Sequence, residues 1–480
     1  MLSDEQKKIL EKGLFEEKKG VKILYLKGSQ YEMGFQHGYL LADRIALMVN
    51  RVLPGAAAVI AKTIKSDYKE AEKRMWIGQA CAEPFLPLEL KEEMSGIADG
   101  VTAADVDVSF KQILLWNTMY DQWCIYAHPH YWDCCKEISK NKKHKQDGVP
   151  GSIFPGSAGC SSFSAWDDAA GGEGKLIFCK NEDNLNLPGQ LENRILVIAD
   201  PDDGYGHVFL TFPGMIGLDG GFNQDGITMM TQYSASIHET MKGCGIGIFT
   251  RMLLTHCSSL EDIFKLFRNN PRCTGIAYHV ADAKVKKAAV VEVSAARVCL
   301  RHPMPNTGFL WQANNSCCYP GWQGYNGYNM AADQALVYRL GEISTTRDYL
   351  TALKDPYNFV VPAPSRMERY TQLLHEYHGN ITVENAIKIM RDNYDPYTEK
   401  HRPRNGTSIS NNILATISAS YPDEVFLAGP PVGEFKARIA NLWSLVAYPL
   451  DGDFWVAIKD FPANQGPYEA FNLKKLLAKG

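Results

Sequence analysis

The sequence predicts an α+β protein built on antiparallel sheets, and three observations carry that expectation. Helical and strand-like segments come in blocks rather than in strict alternation, which argues against a doubly wound parallel sheet. The first third is largely helical, whereas from Cys160 onward short apolar runs bounded by Gly, Asp or Pro dominate. Between the two regimes, residues 140–159 begin as a basic run and end in Pro, Gly and Ser, the composition of an exposed loop.

Taken in order, a polar first helix is followed by the strand "VKILYLKGS". The segment "YEMGFQHGYLLADRIALMVNRVL" then has Leu40, Leu41, Ile45, Met48, Val49 and Val52 at helical spacing. Gly34 and Gly38 stand four apart on one face of it, which permits close approach of another backbone. Helices around "LELKEEMSGIADGV" and "FKQILLWNTMYDQW" complete the first third. After Cys160 the strands are "SSFSAW", "KLIFCKN", "RILVIAD", "HVFLTF" and "GITMMTQ". A helix starts at Ser259, with Asp262 three residues on, and continues through Ile263, Leu266 and Phe267. "IAYHVAD" and "AAVVEVS" form a hairpin. Helices "RMERYTQLLHEY" and "TVENAIKIMRDNY" precede the last strands, "NILATISAS", "EVFLAG" and "DFWVAI".

Composition narrows the function classes. The 480 residues are 45% hydrophobic and 22% charged, the balance of a folded globular chain large enough to bury a substantial core. Length alone would suggest two or three domains, a weak prior, and no internal repeat divides the chain. A formal charge of -4 supplies no basic field, so no nucleic-acid partner is expected. The charged N-terminus has no apolar stretch of signal-peptide type, and no uncharged apolar run reaches spanning length. A cytoplasmic location and no membrane span are the expectations. Twelve cysteines in a reducing compartment are expected to be buried thiols.

Competing chemistries find little support. His128, His130, Cys134 and Cys135 in "HPHYWDCC" lack a second pair at zinc-site spacing, so no metal is expected. "GCGIGI" around Gly243 lacks the dinucleotide fingerprint and suits a tight backbone approach at a helix start. There is no Gly-x-Ser-x-Gly elbow and no phosphate loop, and no cofactor is expected.

Cys160 stands out by its setting, directly after Gly159 where the loop turns into a strand. A cut between Gly159 and Cys160 would give the cysteine a free α-amino group. Such an amine titrates near 7.7 to 8.0 and serves as the base for its own thiol. The thiol itself can make the cut by attacking the Gly159 carbonyl, shifting the acyl group from nitrogen to sulfur, and leaving water to release the upstream chain.

Several ordered motifs give this reading a family. "YEMGFQHGYLLADRI", "GCSSFSAW", "LIFCKNEDN", "GLDGGFNQDGITMMTQ", "WQANNS" and "PSRMERYTQLL" together resemble the N-terminal nucleophile (Ntn) hydrolases. The resemblance is to the acyl-CoA:6-aminopenicillanic acid acyltransferase-like peptidase family, with choloylglycine hydrolases and penicillin V acylases as cousins. It implies a single domain over residues 1–480, a four-layer αββα sandwich of two antiparallel sheets, processed into residues 1–159 and 160–480. It also implies roles. Cys160 is the nucleophile, Asp183 orients its amine, and the Asn314 side-chain amide donates to the oxyanion. Lys180 stands where bile-salt and penicillin V hydrolases have arginine; it keeps the charge without the planar fork. Arg366 is favoured over Arg369 as the supporting arginine, the two lying three apart on one side of a helix. Gln232 is read as a hairpin residue able to add a polar contact, and Asn315 receives no role.

The implied activity is that of an autoproteolytic cysteine amidohydrolase or acyltransferase acting on a non-peptide amide or thioester, an N-acyl amine or acyl-CoA type substrate. A lipid-directed amidase or lysophospholipase on the same fold, and an uncleaved binding protein, are the alternatives. Trp311, Tyr319, Trp322 and Tyr325 suit either an acyl pocket or the core. The acyl group, the acceptor and the quaternary state, a homo-oligomer included, stay open.

Overall fold

The computed structural model describes residues 2–63, 66–126, 160–317, 330, 331, 333, 363–396, 399–401, 425–429 and 433–479. Gly159 and its loop, the "HPHYWDCC" cluster, Tyr319, Trp322, Tyr325 and the strand expected at "NILATISAS" lie outside these residues.

Helix α1 (Asp4–Glu11) leads into strands β1 (Leu14–Lys18) and β2 (Val21–Gly28). Helix α2 (Gln30–Leu40) starts at a capping box in which Ser29 and Glu32 satisfy each other's backbone N–H groups. The single helix expected from Tyr31 onward is broken at Leu41, whose backbone leaves the helical region (φ -124°, ψ 22°). It resumes as α3 (Ala42–Leu47), passes through a π-helical turn (Met48–Val52) and continues as α4 (Leu53–Thr63). The stretch Ala42–Ala61 is long and apolar enough to cross a membrane by length and composition, but 67% of its most apolar window is buried inside the fold, as in a core helix. Helices α5 (Tyr68–Ala82), α6 (Leu88–Ala103) and α7 (Phe110–Tyr126) follow.

Past Cys160 come β3 (Ser161–Ala165), β4 (Ile177–Asn186), β5 (Ile195–Pro201), β6 (His207–Thr211), β7 (Asp219–Asn223) and β8 (Ile227–Tyr233). Helices α8 (Ile246–His256) and α9 (Leu260–Asn269) precede β9 (Ile276–Asp282), β10 (Lys287–Val293), β11 (Val298–Arg301) and β12 (Phe309–Gln312). The later elements are α10 (Ala363–Glu376), α11 (Val383–Arg391), the short pair β13 (Tyr394–Asp395) and β14 (Lys400–His401), β15 (Val425–Gly429), β16 (Gly433–Tyr448), β17 (Asp453–Ala457), β18 (Glu469–Asn472) and α12 (Leu473–Leu477).

The strands assemble into a nine-stranded sheet, ordered β1-β2-β5-β6-β7-β8-β9-β10-β11, and a seven-stranded sheet, β12-β3-β4-β16-β17-β18 with β15 against β16. β9 and β10 form the expected hairpin. One pair departs from the antiparallel expectation: β2 runs parallel to β5. Among the described residues, six α-helices and the β3–β4 hairpin lie between these strands in the chain, a connection long enough for the crossover that parallel pairing requires.

The sheets stack face to face. Phe222 of β7 meets Phe454 of β17 edge-on at 5.7 Å, and His279 of β9 lies 2.9 Å from both Ser162 and Ser164 of β3. The outer face of the smaller sheet packs Phe163, Cys179 and Val446 against Tyr370 and Leu374 of α10 and Ile389 of α11. On the larger sheet, α2 lies against β2, and α8 against β7 and β8. Four layers result, in the αββα order that the resemblance implies. All nine described cysteines are free thiols, and eight are buried.

Candidate active site

The β3–β4 hairpin sets out the site by strand alternation. Its register pairs Ser161 with Asn181 and Ser162 with Lys180. Ser162, Ser164, Phe178 and Lys180 point toward the larger sheet: the serines and the Phe178 ring meet His279, and Lys180 donates to the Thr231 carbonyl. Alternate residues face the helices, with Ser161 bonded to the Tyr370 hydroxyl at 2.8 Å and Asn181 to the Met390 carbonyl at 3.0 Å. Cys160, one residue before β3, shares the inner side. Its Sγ donates to Glu182 Oε2 at 2.9 Å.

Behind the thiol lies a buried charged triad. Lys180 Nζ stands 3.2 Å from Glu182 Oε2 and 3.1 Å from Asp219 Oδ1. Asp219 is held in turn by the Thr231 hydroxyl at 2.8 Å and the Trp443 indole N–H at 3.2 Å. Burial pushes the Glu182 carboxyl up to about 8, against the opposing pull of Lys180 and with help from Asp219. Burial also pushes the Cys160 thiol well above its ordinary value, with Glu182 adding to the effect and Lys180 opposing it. For Lys180, burial works against the charge, but Asp219, the thiol and Glu182 outweigh it and hold the ammonium protonated.

On the other side, Arg366 of α10 is fully buried. Its Nη1 donates to the Cys160 carbonyl at 2.8 Å and its Nη2 to Asn314 Oδ1 at 2.9 Å. Asn314 Nδ2 donates to the Tyr233 carbonyl at 2.8 Å, so both ends of that amide are assigned by their partners. Burial lowers the Arg366 pKa to about 10, with Asp183 and Cys160 opposing, so the guanidinium is cationic at neutral pH. Asp183 accepts from Asn441 Nδ2 of β16 at 3.0 Å.

Of the residues expected from sequence, Cys160, Lys180, Asn314 and Arg366 converge directly. Asp183 joins them through the field it shares with Arg366, on the strand face opposite Lys180. Arg366 and Arg369 do not act from one side: Arg369 turns outward, pairing with Asp392 at 2.7 Å and lying over the Tyr394 ring. Gln232 donates to Ser162 at 2.7 Å, deeper between the sheets, and Asn315 offers its carbonyl to Gln312 at 2.8 Å. Sequence reasoning missed Glu182 and Asp219. The signal for Glu182 was present, since two residues beyond Lys180 on a strand is the same face. Trp311 carries the Arg301 guanidinium over its ring at 5.3 Å. No group of three His, Cys, Asp or Glu able to hold a metal occurs among the described residues.

The site thus gathers a buried cysteine at the head of a strand, between two stacked sheets, with an arginine and an asparagine beside it. Comparison with known proteins adds a family. The family model for acyl-coenzyme A:6-aminopenicillanic acid acyl-transferase matches residues 169–425, more than half the chain, and the chain belongs to that family. An uncharacterized protein of Archaeoglobus fulgidus is 27% identical over 291 residues, covering 59% of this chain and 45% of the relative, so the match spans less than half of that protein's length. Among solved structures, a mutant conjugated bile acid hydrolase from Clostridium perfringens shares 12% identity at a TM-score of 0.34, over 66% of this chain and 93% of that one. Penicillin V acylase from Agrobacterium tumefaciens shares 13% at a TM-score of 0.34, over 66% and 87%.

Proposed function

We propose that the protein is an autoproteolytic cysteine amidohydrolase or acyltransferase. Its nucleophile is Cys160, freed by a cut after Gly159, and its substrate is a non-peptide amide or thioester of N-acyl amine or acyl-CoA type. The observation that carries the reading is the grip on Cys160 from both sides: Arg366 on its carbonyl, and the Lys180–Glu182 pair at its thiol. In the cut chain the α-amine takes the thiol proton as Sγ adds to the substrate carbonyl, then returns it to the leaving amine or thiol. Asp183, in the field of Arg366, orients that ammonium. Asn314, held by Arg366, turns its amide nitrogen rather than its oxygen away from the guanidinium, as a donor to a developing oxyanion must. The acyl-thioester passes its acyl group to water or to an amine.

Intact mass and N-terminal sequencing of the purified protein test this directly. The expected result is two chains, one beginning at Cys160, while Cys160→Ala stays whole. An uncut wild-type chain beginning at Met1, or a Cys160→Ala chain cut after Gly159, would sink the reading.

A further inference from the structure

Glu182 touches the thiol but takes no proton in the turnover just described, because an N-terminal cysteine carries its own base. Before the cut that base does not exist. The nitrogen of Cys160 is then a peptide amide, which takes up no proton at neutral pH, so the first reaction of the chain needs a different acceptor. Among the described residues, the side chain in hydrogen-bond contact with the thiol is Glu182, its Oε2 at 2.9 Å from Sγ.

We propose that Glu182 is the general base of the self-cleavage step, so that the protein uses two bases in succession, Glu182 for the cut and the Cys160 amine for turnover. The proposal rests on the self-cleavage reading above. The competing account makes Glu182 a mere counter-charge for Lys180. Charge balance argues against it: Asp219 at 3.1 Å already neutralises Lys180, with the Thr231 carbonyl as a further acceptor. A second buried carboxylate therefore leaves the triad one negative charge in excess, which is costly away from water. That excess is what a base for a thiol requires. An ordinary carboxylate is about four pKa units too weak to deprotonate an ordinary thiol. Burial and Asp219 raise Glu182 to about 8, which makes it a stronger base than an ordinary carboxylate; burial raises the Cys160 thiol as well, so it is the 2.9 Å contact with Sγ that carries the assignment. The ionisable groups facing Glu182 are Cys160 and Lys180 from its own hairpin, Asp219 from β7, and Tyr120 and Cys124 from α7.

The step balances as follows. Glu182 takes the proton from Sγ as the S–C bond to the Gly159 carbonyl carbon forms. Collapse of that adduct breaks the C–N bond between Gly159 and Cys160, and Glu182 returns the proton to the departing nitrogen, leaving a thioester and a free amine. Water then hydrolyses the thioester, releasing the Gly159 carboxylate and regenerating the thiol. Nothing is oxidised or reduced, and Glu182 ends as it began.

Only the ionised carboxylate accepts a proton, so cutting should accelerate about tenfold per pH unit below about 8 and level off above it. The experiment is full-length chain pulse-labelled in cell-free translation, shifted to buffers from acid to alkaline pH, and followed by appearance of the two fragments. Glu182→Gln should cut at least tenfold more slowly at neutral pH and lose the acid limb of the profile. Glu182→Asp, which keeps the carboxylate one methylene back, should cut faster than Glu182→Gln. Glu182→Ala should regain cutting as formate is added, a result that an unfolded chain cannot give. If wild type cuts and Cys160→Ala does not, yet Glu182→Gln cuts at the wild-type rate with the wild-type profile, the role of Glu182 is overturned and self-cleavage by Cys160 stands. Equal rates for Glu182→Asp and Glu182→Gln would overturn it as well. A wild-type chain that never cuts would instead overturn the reading beneath it.

Discussion

At the scale of single residues, Arg366 does the most positioning. One guanidinium fixes the carbonyl of Cys160 and the oxygen of Asn314, two groups that lie just before β3 and just after β12. A lysine would keep the charge but not the fork, so it could hold one of these acceptors and not both. Arg366→Lys is therefore expected to slow turnover of the cut enzyme by about tenfold to a hundredfold, the range set by losing one charge-assisted hydrogen bond of about 1.5–3 kcal/mol. Turnover per mole of cut chain measures it, and an unchanged kcat would refute the positioning role. The same residues show how far the sequence was legible. Cys160, Lys180, Asn314 and Arg366 could be found because each sits in a recognisable local motif. Asp219 could not, because its partners Lys180 and Trp443 lie on the other sheet and only the stacking of the layers unites them.

At the scale of elements, the seam between α2 and α6 is built on backbone contact. A Cβ on Gly34 would sit 1.9 Å from the Glu93 carbonyl oxygen and one on Gly38 2.1 Å from that of Ile97, while Gly96 and Gly100 meet α2 in the same way. Two effects of a Gly38→Ala change oppose each other. Alanine is the better helix former by about 1 kcal/mol. Overpacking costs about 1–3 kcal/mol, and here the upper end applies because the obstacle is a main-chain carbonyl, not a side chain able to turn aside. Overpacking wins, and Gly38→Ala on the uncut Cys160→Ala chain should lower the thermal midpoint by several degrees; an equal or higher midpoint would show that the helices are free to part. The four-residue glycine spacing was readable in sequence, and so were most strands, since alternation and turn residues are local signals. The parallel pairing of β2 with β5 was not. Which strand lies beside which is decided by long-range packing, and the local pattern of "VKILYLKG" is the same whichever way its neighbour runs.

At the scale of the whole molecule, the layers make the two products of a cut after Gly159 inseparable in native buffer. The upstream piece supplies β1 and β2, the end of the nine-stranded sheet, and β2 makes six residue pairings with β5. It also supplies α2, which lies against β2 and β5 of the larger sheet, and α7, which packs against α8. Without it, β5, almost wholly buried and apolar along "ILVIADP", would become an exposed sheet edge, the kind of surface on which chains aggregate. Such a cut would remove a covalent link but none of this burial. Stability would then be that of a two-chain complex, which depends on protein concentration where the single chain's does not. The cut protein should elute as one particle containing both fragments. Its urea midpoint should rise with protein concentration, while that of uncut Cys160→Ala stays fixed, and residues 160–480 expressed alone should be recovered as aggregate. Separate elution of the two fragments without denaturant would contradict the architecture, since β1 and β2 cannot leave the sheet without uncovering β5.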